Sequence, residues 1–356
     1  MLEVSLQLPR VIQPHLQQLL VGFNRLKRRK IVRLEIESAP ANDPGNSYIL
    51  RATLNRQWRI VYDENDGYNF YCDGKNVYRE FINRQLESAD FYFKRTCRTS
   101  WNAVLTSPEK ILPLGMNVGY TVPSFTNWAQ FLLKRLLRRG SGPVWPEVIE
   151  SLPTFNRNPS VIFLTRAWDP AELDEFPDER NAFDVRLERD RINALRADCI
   201  RTCRKAFGSQ FIGGFAHDDY ARKLFPDCLI ADPAMSLRSC YLERMKTAAI
   251  GIATSGLHGS IGWKTAEYVA AARAIVSEPL GAEVPGVFEK GDNYLEFDSV
   301  EGCVAAVEEL FHNHDLRFRM MKNNFAYYRL HLEPSQLVLN SLILVLERSH
   351  SLVNRE

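Results

Sequence analysis

The sequence predicts a two-domain α/β protein, and three observations carry that expectation. These are a strand–helix–strand order at the start, a proline-rich break near the middle, and a renewed strand–helix alternation after it. The chain has 356 residues, more than one hydrophobic core usually organises. LEVSLQL (2–8) alternates as a strand does, VIQPHLQQLLVGFNRLKRRK (11–30) has apolar residues at helical spacing and ends on a basic turn, and IVRLEIES (31–38) is again a strand. Short connections make this a βαβ unit and predict a parallel sheet. QWRIVYDEND (57–66), ADFYFKR (89–95) and EKILPLG (109–115) read as further strands of the same half. Their polar or glycine ends are where such sheets bind ligands.

GSGPVWPEVIESLPTFNRNPS (140–160) holds four prolines and two glycines, a composition that breaks regular structure, and the boundary is placed there, between 1–155 and 156–356. After it, SVIFLTR (160–166), SQFIGGF (209–215), IGIATS (250–255) and RAIVSE (273–278) read as strands. RLERDRINALRADCIRTCRKAF (186–207), MSLRSCYLERMKTAA (235–249) and GWKTAEYVAAA (262–272) read as helices between them. Two such halves leave a cleft, the usual place for a small-molecule site.

Composition excludes more than it assigns. Lys and Arg number 45 against 43 Asp and Glu, a formal charge of +2. That balance gives no electrostatic basis for nucleic-acid binding, even with NRLKRRK (24–30) and LKRLLRRG (133–140) as basic patches. Cys72, Cys97, Cys199, Cys203, Cys228, Cys240 and Cys303 lack the repeated close pairs of a zinc site. Scattered thiols, no secretory signal and no long apolar run lead to the expectation of a reduced, cytoplasmic protein. NWAQFLLKRLLRRG (127–140) combines Trp128, Phe131, Leu132 and Leu136 with four basic residues. It reads either as a core-facing helix or as a peripheral membrane contact.

The stretch TSGLHGSIGWKTAE (254–267) carries the chemistry. IGIATS has the continuous apolar run of a buried parallel strand, so the glycine-rich segment lies at its carboxyl end. Gly256, Gly259 and Gly262 let backbone N–H groups approach a ligand, with Ser260 among them, and the following helix start supplies unpaired donors. Lys264 stands in the first helical turn, where a purely structural start prefers a carboxylate. Glu267, three residues on, is placed to accept both hydroxyls of a ribose beside a diphosphate. The other reading is a packing turn with Lys264 paired to Glu267.

Residues 250 to 335 resemble the nucleotide-sugar-binding half of GT-B glycosyltransferases of the bacterial group-one kind. The likeness lies in the glycine loop, the helix with Glu267, RAIVSE, the acidic loop GVFEKGDNYLEF, and the helices SVEGCVAAVEELF and HDLRFRMMKNNFAYY. The resemblance implies two Rossmann-like domains facing across a cleft, a nucleotide-sugar donor on the second, and a glycan or lipid-linked acceptor on the first. It also implies surface polysaccharide synthesis with no required metal or cofactor. It gives Glu267 the donor ribose and the loop with Lys264 the diphosphate, joined by Arg166 in FLTRAW. By the same analogy PSQLVLNSLILVLERS (334–349) joins the domains. Gly259 stands where many retaining members have a second glutamate, with His258 beside it, so sugar contacts and stereochemistry do not carry over.

If the transfer inverts, a carboxylate or histidine must take the acceptor proton. Asp63 and Asp66, following a strand in VYDENDGY, are expected to face the cleft, and His258 is a third candidate; a turn with Asp side chains on their own backbone is the alternative. Lys94 and Arg95 end the next strand and could reach an anionic ligand. A non-catalytic nucleotide or sugar-phosphate module of the same fold is the competing functional reading.

Overall fold

The computed structural model describes residues 1–38, 47–68, 71–72, 75–120, 144–172 and 179–353. In the first half, strands β1 (Leu2–Leu8), β2 (Val32–Ser38), β3 (Ile49–Leu54) and β4 (Trp58–Asp63) precede a short hairpin, β5 (Tyr71–Cys72) and β6 (Lys75–Asn76). Strands β7 (Phe91–Lys94) and β8 (Ile111–Pro113) follow, with helices α1 (Gln17–Arg28) and α2 (Tyr78–Ser88) as crossovers. Sheet order is β2-β1-β3-β4-β7-β8.

The β1–α1–β2 unit is parallel as expected, but the sheet is mixed: β3 runs antiparallel to both β1 and β4, while the other pairs are parallel. The β3–β4 hairpin turns on Asn55 and Arg56, with φ of 52° and 57°. Two left-handed residues form the turn whose twist matches a hairpin, usually made by Asn-Gly. The helix expected from residue 11 starts at Gln17, after a single turn at Pro14–Leu16. Its apolar face, Leu19, Leu20, Phe23 and Leu26, is buried.

The second half holds β9 (Val161–Thr165), β10 (Phe211–Phe215), β11 (Ile250–Ala253), β12 (Ala274–Ser277) and β13 (Leu295–Glu296). All pair in parallel, in the order β10-β9-β11-β12-β13. Helices α3 (Glu179–Phe207), α4 (Arg238–Thr247), α5 (Trp263–Ala270), α6 (Val300–His312) and α7 (His314–Tyr327) pack around it. Numbered within the half, the order is 2-1-3-4-5, the doubly wound arrangement whose chain reverses direction between the first and third strands. That switch point lies between β9 and β11.

Helix α8 (Pro334–Val353) returns to the first half and packs along α1. Gly22 allows the contact, since a Cβ there would run into the Pro334 carbonyl and Val338. Gln18 of α1, buried, donates to the Leu332 carbonyl at 2.9 Å and accepts from Val118 N–H at 2.7 Å. One apolar core therefore runs through both halves, from Leu6, Phe23 and Tyr62 to Leu164, Tyr268 and Leu342. A second fills the far side of the second sheet, with Cys199, Cys203, Cys303, Val307 and Met320. Among the described residues no helix is long and apolar enough to cross a membrane. Residues 127–140 lie outside the described ones.

Candidate functional site

The carboxyl ends of both sheets meet at the glycine-rich loop. Gly256 accepts no strain, but His258 and Gly259 adopt left-handed φ of 60° and 62°, and Gly67 of the first half sits against His258, where a Cβ would strike it. Two of the loop's carbonyls meet the first half: Arg98 donates to Gly259 O at 2.7 Å and Arg95 to Ile261 O at 3.2 Å, and Arg98 also donates to Gly281 O beyond the loop. Its Gly259 N–H points the other way, to Glu188 of α3 at 3.3 Å, with His258 Nδ1 3.6 Å from the same carboxylate. Ser260 is buried, its N–H donating to Leu257 O at 3.2 Å.

Gly262 ends the loop as the residue before α5, and neither a capping side chain nor an acidic residue serves that helix start. Lys264 lies there, about a third exposed, its ammonium 3.3 Å above the Tyr241 ring. Desolvation, opposed by Glu267 and reinforced by Arg238 and Arg196, brings that ammonium down to about 8. Glu267 is fully occupied. One oxygen meets Arg238 at 2.6 Å; the other accepts from the Tyr241 hydroxyl at 2.8 Å and lies 3.8 Å from Lys264. Burial alone would raise its pKa, but Arg238, Lys264 and these hydrogen bonds hold it below the usual carboxylate value. Arg238 also donates to Gly119 O at 3.0 Å, tying the helix start to the first half.

Arg166 is exposed at the end of β9 and stacks on Trp168 at 3.6 Å. Behind it, buried Arg196 fills the switch point, donating to Arg166 O at 2.9 Å, Thr254 Oγ1 at 2.9 Å and Ser255 O at 3.1 Å. Through these three neutral oxygens it braces the ends of β9 and β11.

The acids of the first half are sorted differently from the expectation. Asp63 does not face the cleft. It is completely buried, accepting from Tyr78 Oη at 2.6 Å, Tyr92 Oη at 2.7 Å and Asn65, with Lys94 Nζ at 3.2 Å. Burial raises its pKa, yet Lys94 and the hydrogen bonds outweigh this and hold it below the ordinary value. Lys94 is equally buried, over the Tyr68 and Tyr78 rings, and so meets no ligand. Strand alternation had not shown that position 63 turns inward. Asp66, about a third exposed, lies 2.8 Å from Arg95.

Glu64, unremarked in the sequence between the two aspartates, is buried at the seam between the halves. It accepts from Asn117 Nδ2 at 2.9 Å and lies 4.0 Å from Arg95 Nε. Asn117 in turn donates to His15 O at 2.6 Å, and the His15 ring stands edge-on to Trp263 at 4.8 Å. Burial pushes the Glu64 carboxyl up to about 8, against the pull of Arg95 and Asn117, and pushes His15 down to about 4. A raised folded pKa means the folded state keeps a proton that the unfolded chain has lost. The stabilisation is full below the ordinary glutamate pKa and is lost as pH rises through about 8. Glu64→Gln is therefore expected to behave as wild type near pH 5 and to be more stable by a few kcal/mol at pH 8.5, read from urea midpoints across pH. Parallel pH curves for the two proteins would contradict this.

Among the described residues no group of three or more His, Cys, Asp or Glu is arranged to hold a metal ion. An open depression of about 500 Å³ is lined by Glu309, His312, Asn313, His314 and Asp315, at the corner of α6 and α7, and includes none of the residues above.

No family model and no curated protein matches the chain. Solved structures similar to it include a glycosyltransferase from Rickettsia africae, at 10% identity and TM-score 0.46, covering 92% of this chain and 80% of that one. A TarM variant of S. aureus, in complex with fondaparinux, α-GlcNAc-glycerol and UDP, aligns at 10% identity and TM-score 0.42, over 78% of this chain and 49% of that one. HepE of Anabaena, in complex with UDP, aligns at 9% identity and TM-score 0.40, over 96% and 99%. The chain spans about half the length of TarM and 55% of the pneumococcal O-GlcNAc transferase GtfA. These TM-scores all lie below one half, and the two-sheet architecture rests on the strand pairings themselves.

Proposed function

We propose that the chain is a metal-independent glycosyltransferase of the GT-B fold. Residues 156–356 hold a nucleotide-sugar donor, and residues 1–155 a glycan or lipid-linked acceptor of surface polysaccharide synthesis. The observation that supports it most is the uncapped start of α5, bearing Lys264 and backed by Arg238, beside the switch point of a 2-1-3-4-5 parallel sheet. The positive end of that helix and two cations suit a diphosphate there. Glu267 acts by fixing Arg238 and Lys264, and Arg166 lies open at the strand end. Of the candidates for the acceptor proton, Asp66 and His258 stand at the seam between the halves, whereas Asp63 has its oxygens engaged.

A second reading, a non-catalytic binding module, draws support from the sealed state of Asp63. Thermal unfolding with nucleoside diphosphates, with and without EDTA, tests the site. At about 100 times the dissociation constant a ligand adds about 2.7 kcal/mol, a shift of a few degrees. One diphosphate is expected to stand out, with EDTA leaving the shift intact and Lys264→Met removing it. That variant leaves Glu267 its bonds to Arg238 and Tyr241. No shift with any diphosphate would overturn the site. Binding without hydrolysis or transfer of the matching nucleotide sugar would favour the second reading.

A further inference from the structure

The loop is polarised in a way its proposed ligand must undo. Two of its carbonyls, Gly259 and Ile261, are engaged by Arg98 and Arg95 from the first half, while Leu257 O and Ser260 O accept from within the loop. One of its N–H groups is held by a carboxylate of the chain itself: Glu188 Oε1 takes the Gly259 N–H at 3.3 Å, and Oε2 lies 3.6 Å from His258 Nδ1. A backbone N–H on a glycine loop beside a helix start is a position suited to a phosphate oxygen. Glu188 holds it with a long hydrogen bond and a side chain 29% exposed, so the contact is weak and reachable from solvent.

We propose that Glu188 is an internal anion standing in for a phosphate group at Gly259, and that a diphosphate-bearing ligand binds by displacing it. This rests on the nucleotide-sugar reading above and adds a specificity-determining residue to it. Glu188 sets a threshold: a ligand must bring enough negative charge to replace a carboxylate and tolerate its remaining nearby. Uncharged ligands gain nothing from the exchange. On α3 the next residue, Arg189, is directed away to the Asp169 and Glu172 carbonyls, and a second carboxylate, Glu278, takes the neighbouring Ser255 N–H at 2.7 Å.

Calorimetric titration of wild type, Glu188→Gln and Glu188→Ala with inorganic pyrophosphate, a nucleoside diphosphate and the matching uncharged nucleoside tests it. Glu188→Gln keeps the size and an accepting oxygen while removing the charge. It is expected to bind both anionic probes about tenfold more tightly, with nucleoside affinity unchanged. Glu188→Ala should show the same direction. Unchanged or weaker anion affinity, or an equal gain for the nucleoside, would overturn the role of Glu188. If wild type binds a nucleoside diphosphate and Glu188→Gln does not strengthen it, this inference alone falls. If no variant binds pyrophosphate or any nucleoside diphosphate, the donor-site reading falls with it.

Discussion

Asp63→Ala is expected to destabilise the protein by about 3–5 kcal/mol, the range for removing one partner of a buried ion pair. Both Asp63 and Lys94 are 0% exposed, so the ammonium left behind has no water to turn to. Tyr78 and Tyr92 lose the acceptor for their hydroxyls as well. Urea melts at neutral pH would measure the loss. The double variant Asp63→Asn with Lys94→Met is expected to recover much of it, since an apolar replacement removes the stranded charge together with its partner. A loss below about 1 kcal/mol in Asp63→Ala would mean that the knot is dispensable. The pH dependence has a defined sign. Asp63 has a depressed folded pKa, so its contribution is present above the unfolded value and disappears as pH falls through the folded one.

Arg273→Met is expected to be comparably damaging, by about 4 kcal/mol, and to act on the connection between the halves. The arginine is completely buried, and among the described residues no carboxylate pairs with it. Nε donates to Ala271 O at 2.7 Å. Nη1 reaches Lys246 O and Ala248 O, both at 3.0 Å, and Thr154 Oγ1 at 3.1 Å, while Nη2 reaches Leu152 O at 2.7 Å. Methionine fills similar space but strands the buried carbonyls of Ala271 and Ala248, each worth about 1–3 kcal/mol, and also gives up the bonds to Lys246 O and Leu152 O. Lysine should fail too, because a single ammonium cannot span the fork. Calorimetry would report the drop, and limited proteolysis would locate it, with faster cleavage at Leu152–Phe155, where Leu152 and Phe155 are already well exposed. Wild-type resistance to protease would show that the guanidinium does not hold this segment.

The second sheet was the more legible part of the sequence. IGIATS and RAIVSE are unbroken apolar runs because parallel strands are covered on both faces, and glycine and proline punctuate the stretches between them. β3 escaped because its hairpin turns on Asn55–Arg56 rather than on a glycine, and because ILRATL follows a proline- and asparagine-rich stretch that reads as loop. At the site, Lys264 was visible as a local conflict between a cation and a helix start. Arg238, Arg98 and Glu188 were not, since their meeting with the loop depends on how distant elements pack. Glu64 offered only its place beside two aspartates. A strand's alternation stops informing at its last residue, so nothing local distinguished the acid at 63, which turns into the core, from the one at 64, which turns to the seam.

The embrace of α1 by α8 has a consequence for how the protein is made. Gln18 finds its acceptor 314 residues downstream, and Leu342 and Val345 share a core with Leu19 and Phe23. While the chain is emerging, the apolar face of α1 lacks the helix that covers it. At about 5–20 residues per second, some 15–60 s of synthesis separate the two helices. Such distant contacts also slow folding, because a long loop must close before its interactions form. Over that interval the first half is a client for whatever in the cell shields exposed apolar helices, and a ribosome stalled before residue 334 leaves it one.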